Sequence, residues 1–153
     1  MLKTVLQTRF AGWILMLPIV FLFAFVSTSL AQEVSVGAAE TAATQSVVRD
    51  QLNAFKAGDH NRAYSHAAPN ITNYFTTVDR FIGMVKGGYS AIYLSDSFVM
   101  GRNTIINDDI YQEVIITDPQ GKQWQAVYTL RQQADGSWKI TGVKMDPYNG
   151  ATT

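Results

Sequence analysis

Residues Tyr111–Met145 carry the decisive pattern: "YQEVIIT", "DPQG", "KQWQAVYTLRQQ", "ADGS" and "WKITGVKM" follow one another without interruption. Three runs of period two are separated by Asp-Pro-x-Gly and Asp-Gly, turn chemistries that join neighbouring antiparallel strands. In the middle run Trp124, Ala126, Tyr128 and Leu130 point one way. Gln123, Gln125, Thr129 and Arg131 point the other, with Val127 as the exception. The spacing therefore predicts a meander with one apolar face. An earlier extended segment, roughly residues 97–106, is broken by Gly101 and is expected to pair with it.

Upstream the period changes to that of a helix. Val48, Leu52 and Phe55 fall at i, i+4 and i+7, which predicts a helix from about Thr44 to Ala57 ended by Gly58. Asp59 suits the N-cap of a short second helix through Ala67, and Pro69 the first turn of a third over "PNITNYF". Thr77 caps a fourth, whose stripe is Val78, Phe81, Ile82 and Val85 and whose stop is Gly87-Gly88. Helices first and a meander afterwards define an α+β domain, with N-terminal helices packed on a curved antiparallel sheet.

The leader is set apart from this domain. Lys3 and Arg9 precede an uncharged apolar run, residues 10–26, and then Ser29 and Ala31 stand where a cleavage site wants small residues. A signal peptide over 1–31 is expected, cut after Ala31. At about 17 residues the run also reaches the lower bound for spanning a bilayer, so an uncleaved inner-membrane anchor is the alternative. On either reading the rest of the chain is exported. Residues 32–43 read as a linker, 44–148 as one domain and 149–153 as a tail.

Composition excludes several functions. The chain has twelve basic and twelve acidic residues, and setting aside Lys3 and Arg9 leaves it slightly acidic. No basic patch offers a footprint for nucleic acid. There is no cysteine, which excludes disulfides, thiolate chemistry and Cys-ligated metals. Both histidines lie in "GDHNRAYSHAAP", residues 58–69. His60 and His66 are six residues apart, about 240° round a helix, so they do not share a face. No metal site and no cofactor are expected. Asp59 can cap the helix and meet Arg62 three residues on, so the stretch reads as a helix joint with His60 in solvent.

An acid–base enzyme needs a desolvated carboxylate or histidine in a cavity. The weak candidates are His66 and Glu113, the latter the one acid inside a strand, since Asp108, Asp109, Asp118, Asp135 and Asp146 stand at turns or strand ends. Aromatics are more plentiful. Tyr64, Tyr74, Tyr89, Trp124 and Tyr128 are the candidates for lining a ligand cavity, where their polar tips could find partners.

In combination, "QLNAF", "AAPNI", "FIGMVKGGY", "DPQGKQWQAVYTL" and "DGSWKITG" resemble an exported bacterial family of unknown function, domain of unknown function 4864. The helix ending "AFKAGD" and the late "VYTLRQQADGSWKI" hairpin resemble the wider nuclear-transport-factor-2-like superfamily, which includes ketosteroid isomerase and polyketide cyclases. The resemblance spans about Val47 to Met145. It implies a cone-shaped, cystatin-like fold with a cavity between sheet and helices, and no particular reaction. It also implies dimerisation through the other sheet face, where Tyr111, Ile115, Val127, Val143 and Met145 are expected to make an apolar patch.

Three functions follow from these readings. The first is a non-enzymatic domain in the periplasm or cell envelope that binds a small apolar ligand or a protein partner. The second is an isomerase- or cyclase-like enzyme using His66 or Glu113 with a tyrosine donor. The third is a membrane-anchored accessory subunit of an envelope complex.

Overall fold

The structure is a computed structural model that describes residues 36–150, so the signal peptide, its anchor alternative and the last residues of the tail lie outside the described part. Among the described residues five helices come first: α1 (Ala38–Ala57), α2 (His60–Ser65), α3 (Pro69–Tyr74), α4 (Val78–Gly88) and α5 (Ser90–Tyr93). Four strands follow: β1 (Ser97–Ile106), β2 (Asp109–Thr117), β3 (Gln123–Gln132) and β4 (Trp138–Pro147). The strands pair antiparallel in the order β1-β2-β3-β4, and the helices pack against one face of this open, curved sheet. The fold class is α+β.

Local chemistry explains most boundaries. Gly58 closes α1 in the left-handed conformation at φ 68°, where a Cβ would be strained. The Asp59 carboxylate accepts from the Arg62 backbone N–H, and the Thr77 hydroxyl accepts from Arg80 N–H. Asn107 and Asp108, both at positive φ, make the two-residue turn between β1 and β2, a geometry whose twist matches the flanking strands. Asp118 holds the next turn by accepting from Gln120 and Lys122 N–H.

One expected boundary moves. α1 starts at Ala38 rather than about Thr44, so residues 38–43 are helix and not linker. The small residues there include four alanines, the best helix formers, and Glu40 accepts from Gly37 N–H at 3.0 Å to close the first turn. Between α4 and β1, Ser90–Tyr93 form a further helical turn that the sequence pattern did not mark.

The core lies between α1, α4 and the inner sheet face. Val48, Leu52 and Phe55 of α1 meet Val114, Ile116, Ala126, Tyr128 and Leu130 of the sheet. β2 alternates strictly, with Ile110, Gln112, Val114 and Ile116 buried and the residues between them half-exposed. β4 does not alternate so simply. A register shift opposite Thr129/Leu130 inserts one residue, Thr141, so that Ile140 faces Leu130 while Val143 faces Tyr128 and Met145 faces Ala126. One inserted residue exchanges the faces of everything after it. Val143 and Met145 therefore join the core, and the expected outer patch is reduced to Tyr111, Ile115 and Val127, beside the exposed Val99 paired to Ile115.

The joint between α2 and α3 runs along the free edge of β4. Ile140 N–H donates to the His66 carbonyl and Ala68 N–H donates to the Ile140 carbonyl, both at 2.8 Å. That pairing covers part of a strand edge that would otherwise be open to other chains. It also fixes where α3 sits.

Candidate functional site

A cavity of about 400 Å³ lies between the helices and the inner face of β3 and β4. This is within the range of roughly 300–1,000 Å³ common for small-molecule sites. Its walls come from every layer: Gln51 and Phe55 of α1, Phe81, Met84 and Val85 of α4, and Tyr128, Ile140 and Val143 of the sheet. Ile71 and Phe75 contribute from α3 and the residue after it. Among the described residues that line it, none is charged.

The apolar wall is organised around Phe81. Its ring lies 6.3 Å from Phe55, 5.3 Å from Tyr64 and 6.4 Å from Phe75, all distances at which aromatic pairs attract. The polar lining groups are mostly tied to backbone carbonyls. Gln51 Nε2 donates to Ala63 O at 3.1 Å, Tyr89 Oη to Val143 O at 3.2 Å and Thr141 Oγ1 to Thr129 O at 3.2 Å. Tyr128 is fully buried, and its hydroxyl has no hydrogen-bond partner among the described residues. Burial pushes its phenol well above the ordinary tyrosine value, so the hydroxyl stays protonated.

Of the five aromatics named from the sequence, two line this cavity, Tyr89 and Tyr128. Tyr64 stands behind the wall, donating its hydroxyl to Phe75 O at 2.6 Å. Tyr74 is 71% exposed on the outer side of α3. Trp124 lies elsewhere, its indole N–H donating to Asp118 Oδ2 at 2.9 Å and Lys122 lying over its ring. Asp118 is held below the ordinary carboxylate range mainly by that indole bond. The remaining lining residues, Phe55, Phe81, Met84 and Val85 among them, belong to helix stripes that in sequence are indistinguishable from ordinary core.

Neither acid–base candidate lines the cavity. Glu113 is on the outer sheet face, paired with Arg102 at 3.1 Å. His66 instead meets Asp50 of α1, donating from Nε2 to Oδ2 at 2.5 Å. Arg62 shares that carboxylate, with Nε on Oδ2 at 2.8 Å and a second bond from its terminal nitrogen to Oδ1. The expected Asp59–Arg62 side-chain pair is thus replaced: Asp59 caps the backbone while the guanidinium crosses to Asp50. His60 is likewise not free in solvent, since it is half-buried and its Nε2 lies 3.0 Å from Tyr93 Oη. Asp50 is sixteen residues from His66, and no spacing rule joins them. Among the described residues no group of three His, Asp or Glu side chains could hold a metal ion.

The Asp50 cluster is a clasp between α1 and α2. Arg62 holds the Asp50 carboxyl below the ordinary carboxylate range, with partial burial opposing and His66 assisting. A carboxyl depressed in the folded state adds stability that is present above the unfolded value, near pH 4, and lost as pH falls through the folded value. Asp50→Asn is therefore expected to lower stability at neutral pH and to flatten the acid limb below about pH 4. Urea melts between about pH 2 and pH 7 measure both effects, and an unchanged acid limb would contradict the assignment.

The family model for the domain of unknown function DUF4864 matches residues 37–153, and the chain belongs to this family. No match was found among curated proteins or among solved structures.

Proposed function

We propose that this member of the family is an exported binding domain without catalytic activity, and that its cavity takes a small apolar ligand. The observation that carries the reading is the lining: a cavity of about 400 Å³ walled by aromatic and aliphatic side chains with no charge among the described residues. Desolvating such a surface with an apolar guest is favourable, and a few fixed polar groups suffice to orient it. The leader sequence supports export to a bacterial periplasm or envelope. The resemblance to the nuclear-transport-factor-2-like superfamily supports a cavity of this kind in this place, and the Val99–Ile115–Val127 face supports a sheet-to-sheet dimer. The acid–base alternative called for His66 or Glu113 inside the cavity, and both are engaged elsewhere by Asp50 and Arg102.

An uncharged apolar fluorophore, N-phenyl-1-naphthylamine, tests the proposal. Titration into the purified protein is expected to give a saturable, one-to-one rise in emission. Met84→Trp places an indole in the cavity from α4 and is expected to weaken binding at least tenfold while circular dichroism stays unchanged. Non-saturable emission, or equal affinity in a folded Met84→Trp variant, defeats the reading.

A further inference from the structure

We propose that α3 is the lid of the cavity: the segment from Pro69 to Phe75 swings away from β4 and α4 to admit an apolar guest and then closes over it. The inference rests on the binding reading above and adds the route by which that site is filled. The cavity has a sealed floor and a half-exposed rim. On the floor Phe55, Phe81, Val85, Tyr128 and Ile140 are buried. On the rim Ile71 and Phe75 of the α3 segment, Met84 and Tyr89 on the α4 side, and Thr141 and Val143 of β4 are half-buried. A guest therefore enters among these three elements.

The three are not equally free to move. α4 buries Phe81, Ile82 and Val85, and β4 is paired with β3 from Trp138 to Pro147. α3 has six residues and buries none of them. A helix this short holds its shape only through what it packs on, and segments with few buried contacts open at the lowest cost. One side chain fastens it at either end. Asn70 Nδ2 donates to Thr141 O at 2.8 Å, beside the joint where Ala68 N–H meets the Ile140 carbonyl. At the far end Tyr64 Oη donates to Phe75 O at 2.6 Å. Tyr64 belongs to α2, which the Asp50 clasp ties to α1, so this latch is anchored on a fixed element. The inner side of the lid is apolar, and Phe75 meets Phe81 edge-on with ring centroids 6.4 Å apart. Closure completes the apolar wall and the latch bonds together and shuts water away from the guest.

A lid has a kinetic signature that a fixed wall lacks. Entry and release both pass through the open state, and a latch bond is lost from the empty and the filled closed states alike. Loosening the latch therefore raises both rates by one factor and leaves Kd unchanged. Stopped-flow mixing with N-phenyl-1-naphthylamine compares the wild type with Asn70→Ala and Tyr64→Phe. Each variant is expected to bind and release the probe about three- to tenfold faster, with Kd within about twofold of the wild type. Native-state hydrogen exchange reads the opening without a guest. The amides of Thr72 and Phe75, bonded within the lid, should exchange faster in both variants, while those of Val114 and Ile116 in β2 keep their wild-type rates. Asn70 is exposed, so Asn70→Ala tests the lid even if Tyr64→Phe fails to fold. Unchanged probe rates, or exchange that quickens equally in β2, overturn the lid and leave the binding reading standing. A Kd that rises with the release rate alone makes α3 a fixed wall and overturns the lid as well. Absence of saturable binding to the wild type overturns the binding reading and the lid with it.

Discussion

Phe81→Ala is expected to lower unfolding stability by about 3 kcal/mol, toward the lower end of the range for deleting a buried aromatic ring. The ring is 4% exposed and is the centre of the cluster formed with Phe55, Tyr64 and Phe75. Its loss removes transfer free energy, dispersion contacts and three aromatic pairings, each pairing contributing roughly 0.5–1.5 kcal/mol beyond its area. One side of the ring already faces the cavity, so fewer contacts are lost than at a fully enclosed site. The melting temperature should fall by roughly 10 °C for a domain of this size. The same change enlarges the cavity and removes wall area, so affinity for the apolar fluorophore should fall as well. A stability loss under about 1 kcal/mol would mean that the aromatic wall contributes no more than its surface neighbours.

Gln112→Ala is expected to cost about 3 kcal/mol by a different mechanism, the release of buried polar groups. Gln112 is fully buried on the core face of β2, beside the irregularity between Met100 and Asn103 in β1. Its Nε2 donates to Glu113 O at 2.7 Å and reaches the carbonyls of Gly101 at 3.1 Å and Arg102 at 3.4 Å. Its Oε1 accepts from Asn103 Nδ2 at 2.8 Å, and the same Asn103 amide reaches Thr44 Oγ1 on α1 at 3.1 Å. The glutamine therefore satisfies the carbonyls at the β1 irregularity and links that strand to the first helix. A Cβ at Gly101 would stand 3.1 Å from the Glu113 Cβ, so a larger residue there would need the neighbouring strand to give by a few tenths of an ångström. Truncation takes one of two partners from the Asn103 amide and the side-chain donor from the carbonyls of Gly101, Arg102 and Glu113, a loss of about 1–3 kcal/mol for each group that stays buried and unpaired and less where water can reach. Urea melts should show a lower midpoint with an unchanged slope. A neutral result would mean that water replaces the side chain completely.

Much of the architecture was legible before any coordinates. The period-two runs with Asp-Pro-x-Gly and Asp-Gly between them specify a meander, and the Val48–Leu52–Phe55 stripe specifies the helix laid across it. Gly58, Asp59, Pro69 and Thr77 mark helix ends because their conformational and capping roles are local. The upstream limit of α1 was less legible, because alanine-rich sequence is compatible with both a helix and a linker. The cavity was legible only in part. Tyr89 and Tyr128 stand out as aromatics, whereas Phe81, Met84 and Gln51 look the same in sequence whether a void lies beside them or not.

What the sequence by itself determined is therefore the set of local elements and the α+β class, since periodicity, turns and caps act within a few residues. Tertiary structure alone decided which groups meet. The irregularity opposite Thr129/Leu130 turns Val143 inward, because one extra residue reverses the parity of the strand; Gly142 is the local mark of that break, but which residue is inserted depends on the pairing with β3. Asp50 takes Arg62 and His66 away from their neighbours because α1 passes over α2, a contact between residues distant along the chain. Packing, too, leaves the buried Tyr128 hydroxyl without a partner among the described residues, since pairing depends on what surrounds a side chain in three dimensions and not on its place in the sequence.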